Sequence, residues 1–173
     1  MGSRVLFCVV LAASLSLCAC EPSAPETVRF LDGKFEVLKP GSWSLRDDLN
    51  DQADLQMGNR FSDVYGVILS EDQTEYDSYV SLSDFSYLTR EAFEEILKGI
   101  HQTGPENLTL QGQKAIRYDI TGELEGMPVR YWHVVVESGD FYHQIVLWTR
   151  ESRFERNAAD FDLVLNSLRA TDG

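Results

Sequence analysis

The sequence predicts an α/β domain of the α+β type: a mainly antiparallel central sheet covered by helices on both faces, an α/β/α sandwich. Apolar residues repeat at the helical period in two segments, Leu82–Ile100 and Phe154–Leu168. Most of the remainder reads as short strands bounded by turn residues. Val134-Val135-Val136 and Ile145-Val146-Leu147-Trp148 are apolar at consecutive positions, so both faces of their strands require burial. Two amphipathic helices supply one cover per face. With 173 residues, 43% of them hydrophobic, the chain can bury the core of one domain.

In chain order, Met1–Arg4 is a short, basic start, followed by an uncharged apolar run from Val5 to Leu17. That run is too short for the roughly 20 residues of a spanning helix and suits a secretory leader. It ends in Leu17-Cys18-Ala19-Cys20. This resembles the bacterial lipoprotein signal, in which an apolar and two small residues precede an obligatory Cys. The resemblance implies that Cys20 receives a diacylglyceryl group on sulfur, becomes the new N-terminus when residues 1–19 are removed, and is often N-acylated as well. Two or three acyl chains hold a protein firmly on a bilayer, where one holds only marginally. Residues 20–26 then form the lipidated Cys and a tether containing Pro22 and Pro25. Glu21 stands where an Asp would imply inner-membrane retention, so the resemblance implies a lipid-anchored envelope protein of the outer membrane rather than the inner.

Residues 27–173 make the single domain. Phe35–Leu38, Leu55–Met57, Val64–Leu69, Asn107–Leu110, Ala115–Thr121, Val129–Val136 and Phe141–Thr149 read as strands. Glu125-Gly126 and Ser138-Gly139 suit tight hairpin turns. The first helix has the stripe Leu82, Phe85, Leu88, Ala92, Phe93, Ile96, Leu97 and Ile100. Ser81 and Asp84 resemble a capping box before it, and Gly104-Pro105 prevents its continuation. The second has the stripe Phe154, Ala158, Phe161, Val164, Leu165 and Leu168, with Ser152 and Glu155 spaced as a capping box. Both stripes are read as core.

The order of these elements, with Lys39-Pro40-Gly41-Ser42-Trp43 before the long helix, Ile116–Gly122 and Tyr142–Ile145 in a meander, and Ser152–Glu155 opening the last helix, resembles bacterial lipoproteins of the PsbP/Mog-like superfamily. The resemblance implies a central antiparallel sheet between helical layers. Members of the superfamily act as photosynthetic subunits, small-GTPase binders and effector chaperones, so it implies a binding module and carries over no catalytic residue.

No nucleophile elbow, zinc-protease motif, phosphate loop or cofactor fingerprint is present. Cys8, Cys18 and Cys20 all fall in the leader region, so neither thiol catalysis nor a disulfide framework is expected of the mature chain. His101 is read at the frayed end of the long helix. If Ser138-Gly139 is a two-residue turn, His133 and His143 point to opposite faces of the sheet; a three-residue loop puts them on one face. In neither case does a carboxylate or thiolate complete a metal site. Tyr131, Trp132, Phe141, Tyr142 and Trp148 make an aromatic-rich hairpin, and should the domain bind through it, His133, His143 and Trp132 are the candidate contacts.

Fifteen basic residues against 28 acidic ones give a net charge of −13, which argues against nucleic-acid binding. Glu71–Asp77 lacks the spacing of a calcium loop and reads as solvated. Removing residues 1–19 takes away one Arg, and such a charge beside an anionic membrane favours a domain that stands off the lipid. The sequence thus predicts a non-enzymatic envelope lipoprotein that binds the bilayer through Cys20 and another envelope protein through its domain. An envelope enzyme with an unrecognised acid/base pair, or a chaperone or immunity-type partner of a secreted effector, are the alternatives.

Overall fold

Val134–Val136 and Ile145–Leu147 are buried on both sides, as strands covered on both faces must be. The computed structural model describes residues 23–76 and 79–171. The expected leader, Cys20 and the first part of the expected tether lie outside the described residues. The chain runs β1 (Glu26–Phe30), β2 (Phe35–Lys39), β3 (Ser44–Leu45), β4 (Leu55–Asn59), β5 (Val64–Asp72), α1 (Leu82–Ile96), β6 (Lys98–Leu110), β7 (Gln113–Leu124), β8 (Met127–Ser138), β9 (Phe141–Arg150), α2 (Phe154–Leu165) and β10 (Arg169–Ala170). Seven strands form an antiparallel sheet in the order β3-β4-β5-β9-β8-β7-β6, and β1-β2-β10 form a smaller one.

Alternation along β8 distributes the core. Trp132, Val134 and Val136 face α2, where they pack with Phe154, Phe161, Val164 and Leu165, and with Phe30, Phe35 and Val37 of the small sheet. Val129 and Tyr131 face the other way, into a cluster with Phe93 and Leu97 at the α1 end. The three layers follow the α/β/α expectation, with the small sheet sharing the α2 side.

Four local expectations need correction. First, the long helix stops at Ile96: Leu97 is already extended, and Lys98 starts β6. His101 therefore pairs with Thr121 in an edge strand rather than ending a helix. Gly104-Pro105 falls inside β6 at a register shift, a place where an edge strand tolerates a residue without N–H. Second, α2 has no capping box; Arg153 occupies the cap position without a side-chain hydrogen bond, while Glu151–Arg153 form a short 3-10 turn. Third, the β8–β9 turn is two residues long but consists of Gly139-Asp140, since Ser138 pairs with Phe141. Fourth, β1 begins at Glu26, inside the expected tether.

At the head of α1 the expected capping box is present. Ser81 Oγ accepts from Asp84 N at 3.1 Å, and Asp84 Oδ2 accepts from Ser81 N at 3.2 Å. Glu125-Gly126 joins β7 to β8 with positive φ at both residues, the twist that matches two-residue hairpins.

Candidate functional site

The buried face of α1 is Phe85, Ser86, Arg90 and Phe93, partly polar and narrower than the sequence stripe. Leu88 and Ile96 are exposed at 59% and 54%. With Ala92 they form a second row, roughly a quarter turn around the helix from the buried one. That row overhangs sheet which α1 leaves uncovered.

Between α1 and the Leu49-Asn50 loop this leaves a groove of about 340 Å³. Val67, Leu69, Val146 and Trp148 form its floor, with Tyr131 alongside; Ala92 and Ile96 form one wall. The rings are held in place: Trp148 stacks on Tyr131 at 5.8 Å and tilts against Tyr65 at 5.4 Å. The opposite wall is pinned by Gln56, whose Oε1 accepts from Leu49 N at 2.7 Å and whose Nε2 donates to Asn50 O at 2.7 Å.

The polar side chains of the groove are Asn50, Thr89 and Gln144, together with the Tyr131 hydroxyl; the lining contains no carboxylate, histidine or cationic group. Burial pushes the Tyr131 phenol up to about 12, so it stays protonated. General acid–base chemistry needs a titratable group within hydrogen-bond reach of the reacting atoms, and this lining supplies none near neutrality. What it offers is apolar area and a few neutral hydrogen-bonding groups, the makings of a receptor for an apolar group.

His133 and His143 lie on opposite faces of the sheet, the arrangement a two-residue turn dictates: His133 pairs with Val146, and His143 with Val136. Both are fully buried. His133 sits under α1, just behind the groove, its Nε2 3.1 Å from Thr89 Oγ1. The Thr89 hydroxyl donates to Phe85 O at 2.8 Å, so His133 carries its proton on Nε2 and donates to Thr89. Burial, aided by the nearby Arg90 charge, lowers its pKa to about 3. His143 lies on the other side, edge-on to Phe35 with ring centroids 4.2 Å apart, and its Nδ1 is 2.9 Å from Ser70 Oγ. Burial lowers it to about 4. Trp132 is also on the α2 side, 8% exposed, with Nε1 donating to Asp119 at 3.2 Å and the Arg117 guanidinium over its ring. The structure thus separates the three residues, and only His133 adjoins the groove. Among the described residues no group of three or more His, Cys, Asp or Glu is placed to hold a metal ion.

No protein-family model and no curated protein matches the chain. Solved structures do. Cyanobacterial PsbP (CyanoP) from Synechocystis aligns over 88% of this chain and 96% of its own, with TM-score 0.65 and 13% identity. LpqN, involved in cell envelope biogenesis of Mycobacterium tuberculosis, aligns over 86% of this chain and 91% of its own, with TM-score 0.59 and 13% identity. The Saccharomyces cerevisiae Ran-binding protein Mog1p aligns over 87% and 97%, with TM-score 0.59 and 9% identity. The fold is PsbP/Mog1-like.

Within this PsbP/Mog1-like fold, the groove was signalled in the sequence by Ala92 and Ile96, which belong to a stripe too wide for one helix to bury against a sheet. The Leu49-Asn50 wall carried no signal, because a loop held by one Gln side chain has no periodicity to read.

Proposed function

We propose that the chain is an outer-membrane lipoprotein anchored through acylated Cys20, whose PsbP/Mog1-like domain is a non-catalytic binding module. Its groove between α1 and the sheet holds an apolar segment of another envelope protein. The observation that carries this reading is the groove itself, with its apolar floor, neutral polar groups and no side chain that titrates near neutrality. Support comes also from LpqN, a fold neighbour involved in cell envelope biogenesis, and from Mog1p, a fold neighbour that binds a protein. No helix among the described residues is long and apolar enough to cross a membrane.

The test is site-specific photo-cross-linking in native membranes. A photoreactive residue at Ile96, on the groove wall, is expected to give a discrete protein adduct. The same residue at Asp162, exposed on α2, is expected to give none. Ala92→Arg should abolish the adduct by filling the groove while leaving the fold intact, since Ala92 is exposed. Identical patterns from Ile96 and Asp162, or an adduct unaffected by Ala92→Arg, would contradict the reading.

A further inference from the structure

The start of the described chain marks which end of the domain lies nearest Cys20. The backbone carbonyls of Ser23 and Ala24 pass so close to Gly41 that a Cβ there would collide with both. Next to Gly41, Ser42 O accepts a hydrogen bond from Asn59 Nδ2 at 2.7 Å. Asn59 opens the turn from β4 to β5, Asn59-Arg60-Phe61-Ser62-Asp63. The tether therefore enters the domain beside this turn. Three residue steps of about 3.8 Å separate the α-carbons of Cys20 and Ser23, a reach of about 11 Å at most. An acylated Cys20 would thus hold the turn at headgroup level.

That turn presents Phe61, which is 97% exposed, more than any other large hydrophobic side chain among the described residues. Cations surround it. The Arg60, Arg150 and Arg153 side chains are 68%, 47% and 32% exposed. They are held in place by Asp48, which pairs with Arg60 at 2.7 Å, and by Asp63, which takes Arg150 at 3.0 Å and Arg153 at 2.7 Å. Asp48, which also takes Arg46, and Asp63 are the two carboxylates paired with these arginines, so the paired cluster is not acidic in a chain of net charge −13. The acids Glu71, Asp72, Glu75 and Asp140 cluster at the other end of β5, nine residues or about 30 Å away.

We infer that the β4–β5 turn is a second, reversible membrane contact: Phe61 enters the bilayer interface beside the lipid anchor, and Arg60, Arg150 and Arg153 face the lipid phosphates. The inference rests on the anchor proposed above. One aromatic ring and three partly paired cations bind lipid weakly alone, but a tether of this length raises their local concentration at the surface enough to populate the contact. The domain then stands end-on, with its acidic end away from the membrane.

Acylation of Cys20 and removal of the leader leave no other thiol, so Phe61→Cys and, as a control, Asp140→Cys each create a single labelling site. Each variant of the full chain, processed in cells and checked by intact mass for the diacylglyceryl group, is labelled with an environment-sensitive fluorophore. It is then reconstituted into vesicles of phosphatidylethanolamine and phosphatidylglycerol. Acyl-brominated lipid should quench the label at position 61 several-fold and leave the label at 140 unchanged. Equal quenching at the two sites in the acylated protein would overturn the contact while leaving the anchor standing. A label at 61 that is shielded from water yet unquenched by brominated lipid would also overturn it, by placing the turn against protein. An unmodified Cys20 would overturn the anchor and this inference together.

Discussion

His133 and His143 are imidazoles that the fold keeps neutral, and this has a measurable consequence. Both have pKa values lowered by burial, to about 3 and about 4, from an ordinary value near 6.5. Between those limits the unfolded chain binds more protons than the folded one, so stability rises with pH across that window. The contribution is fully present above about pH 6.5 and is lost as pH falls toward 4. Carboxylates also respond to acid: Arg169 and Arg29 hold Glu36 below its usual range, and Arg46 and Arg60 do so for Asp48. Their share is lost only below about pH 4.5, so the interval from 6.5 to 4.5 belongs to the two histidines. The melting temperature is therefore expected to fall across that interval, and His143→Gln to flatten the fall. A flat wild-type profile between pH 6.5 and 4.5 would show that the imidazoles are not held neutral. The sequence allowed these residues to be placed relative to each other, because strand parity puts them on opposite faces once the turn has two residues. Their depth was not legible, since it depends on where α1 and the small sheet come to rest.

The two helices are built differently. α2 buries Phe154, Phe161, Val164 and Leu165 with one polar residue, Asn157, whereas half of the buried face of α1 is polar, Ser86 and Arg90 beside two phenylalanines. Phe161→Ala should accordingly cost about 3–5 kcal/mol in urea denaturation. Leu88→Glu, although it removes a residue of the same sequence stripe as Phe85, should change stability by less than about 0.5 kcal/mol because Leu88 is exposed. The caps differ likewise. Ser81→Ala removes a two-way capping box and should cost about 1 kcal/mol, while Ser152→Ala removes no cap and should be near neutral. A large loss for Leu88→Glu or Ser152→Ala would contradict the packing described. These contrasts explain what the sequence could and could not show. The Ser81 box was readable because its geometry is local. The end of α1 was not, because Leu97 and Ile100 fit a helical stripe as well as a strand. The choice was made by β7, which pairs with Lys98 and with residues from His101 onward. The small sheet was missed for the same reason: β10 has only Arg169 and Ala170, too short to carry a pattern.

At the scale of the whole molecule, the α/β/α layering was legible because Val134–Val136 and Ile145–Leu147 demanded cover on both faces, and β8 and β9 have it. The groove arises from a mismatch that no single segment encodes: α1 covers less of the sheet than its apolar positions suggest. The acidic charge takes on a direction too, with Glu71, Asp72 and Glu75 gathered at the end of β5 opposite the tether. A domain that stands off the lipid and one that touches it through the Phe61 turn are then the same end-on arrangement. That end-on arrangement depends on the proposed attachment of the chain to a membrane through Cys20. Intact-mass analysis of the protein extracted from the membrane fraction tests that claim most directly. The account predicts a chain that begins at Cys20 and carries a diacylglyceryl group, and a Cys20→Ser variant that leaves the membrane. An unmodified Cys20, or a Cys20→Ser variant that stays membrane-bound, would contradict it.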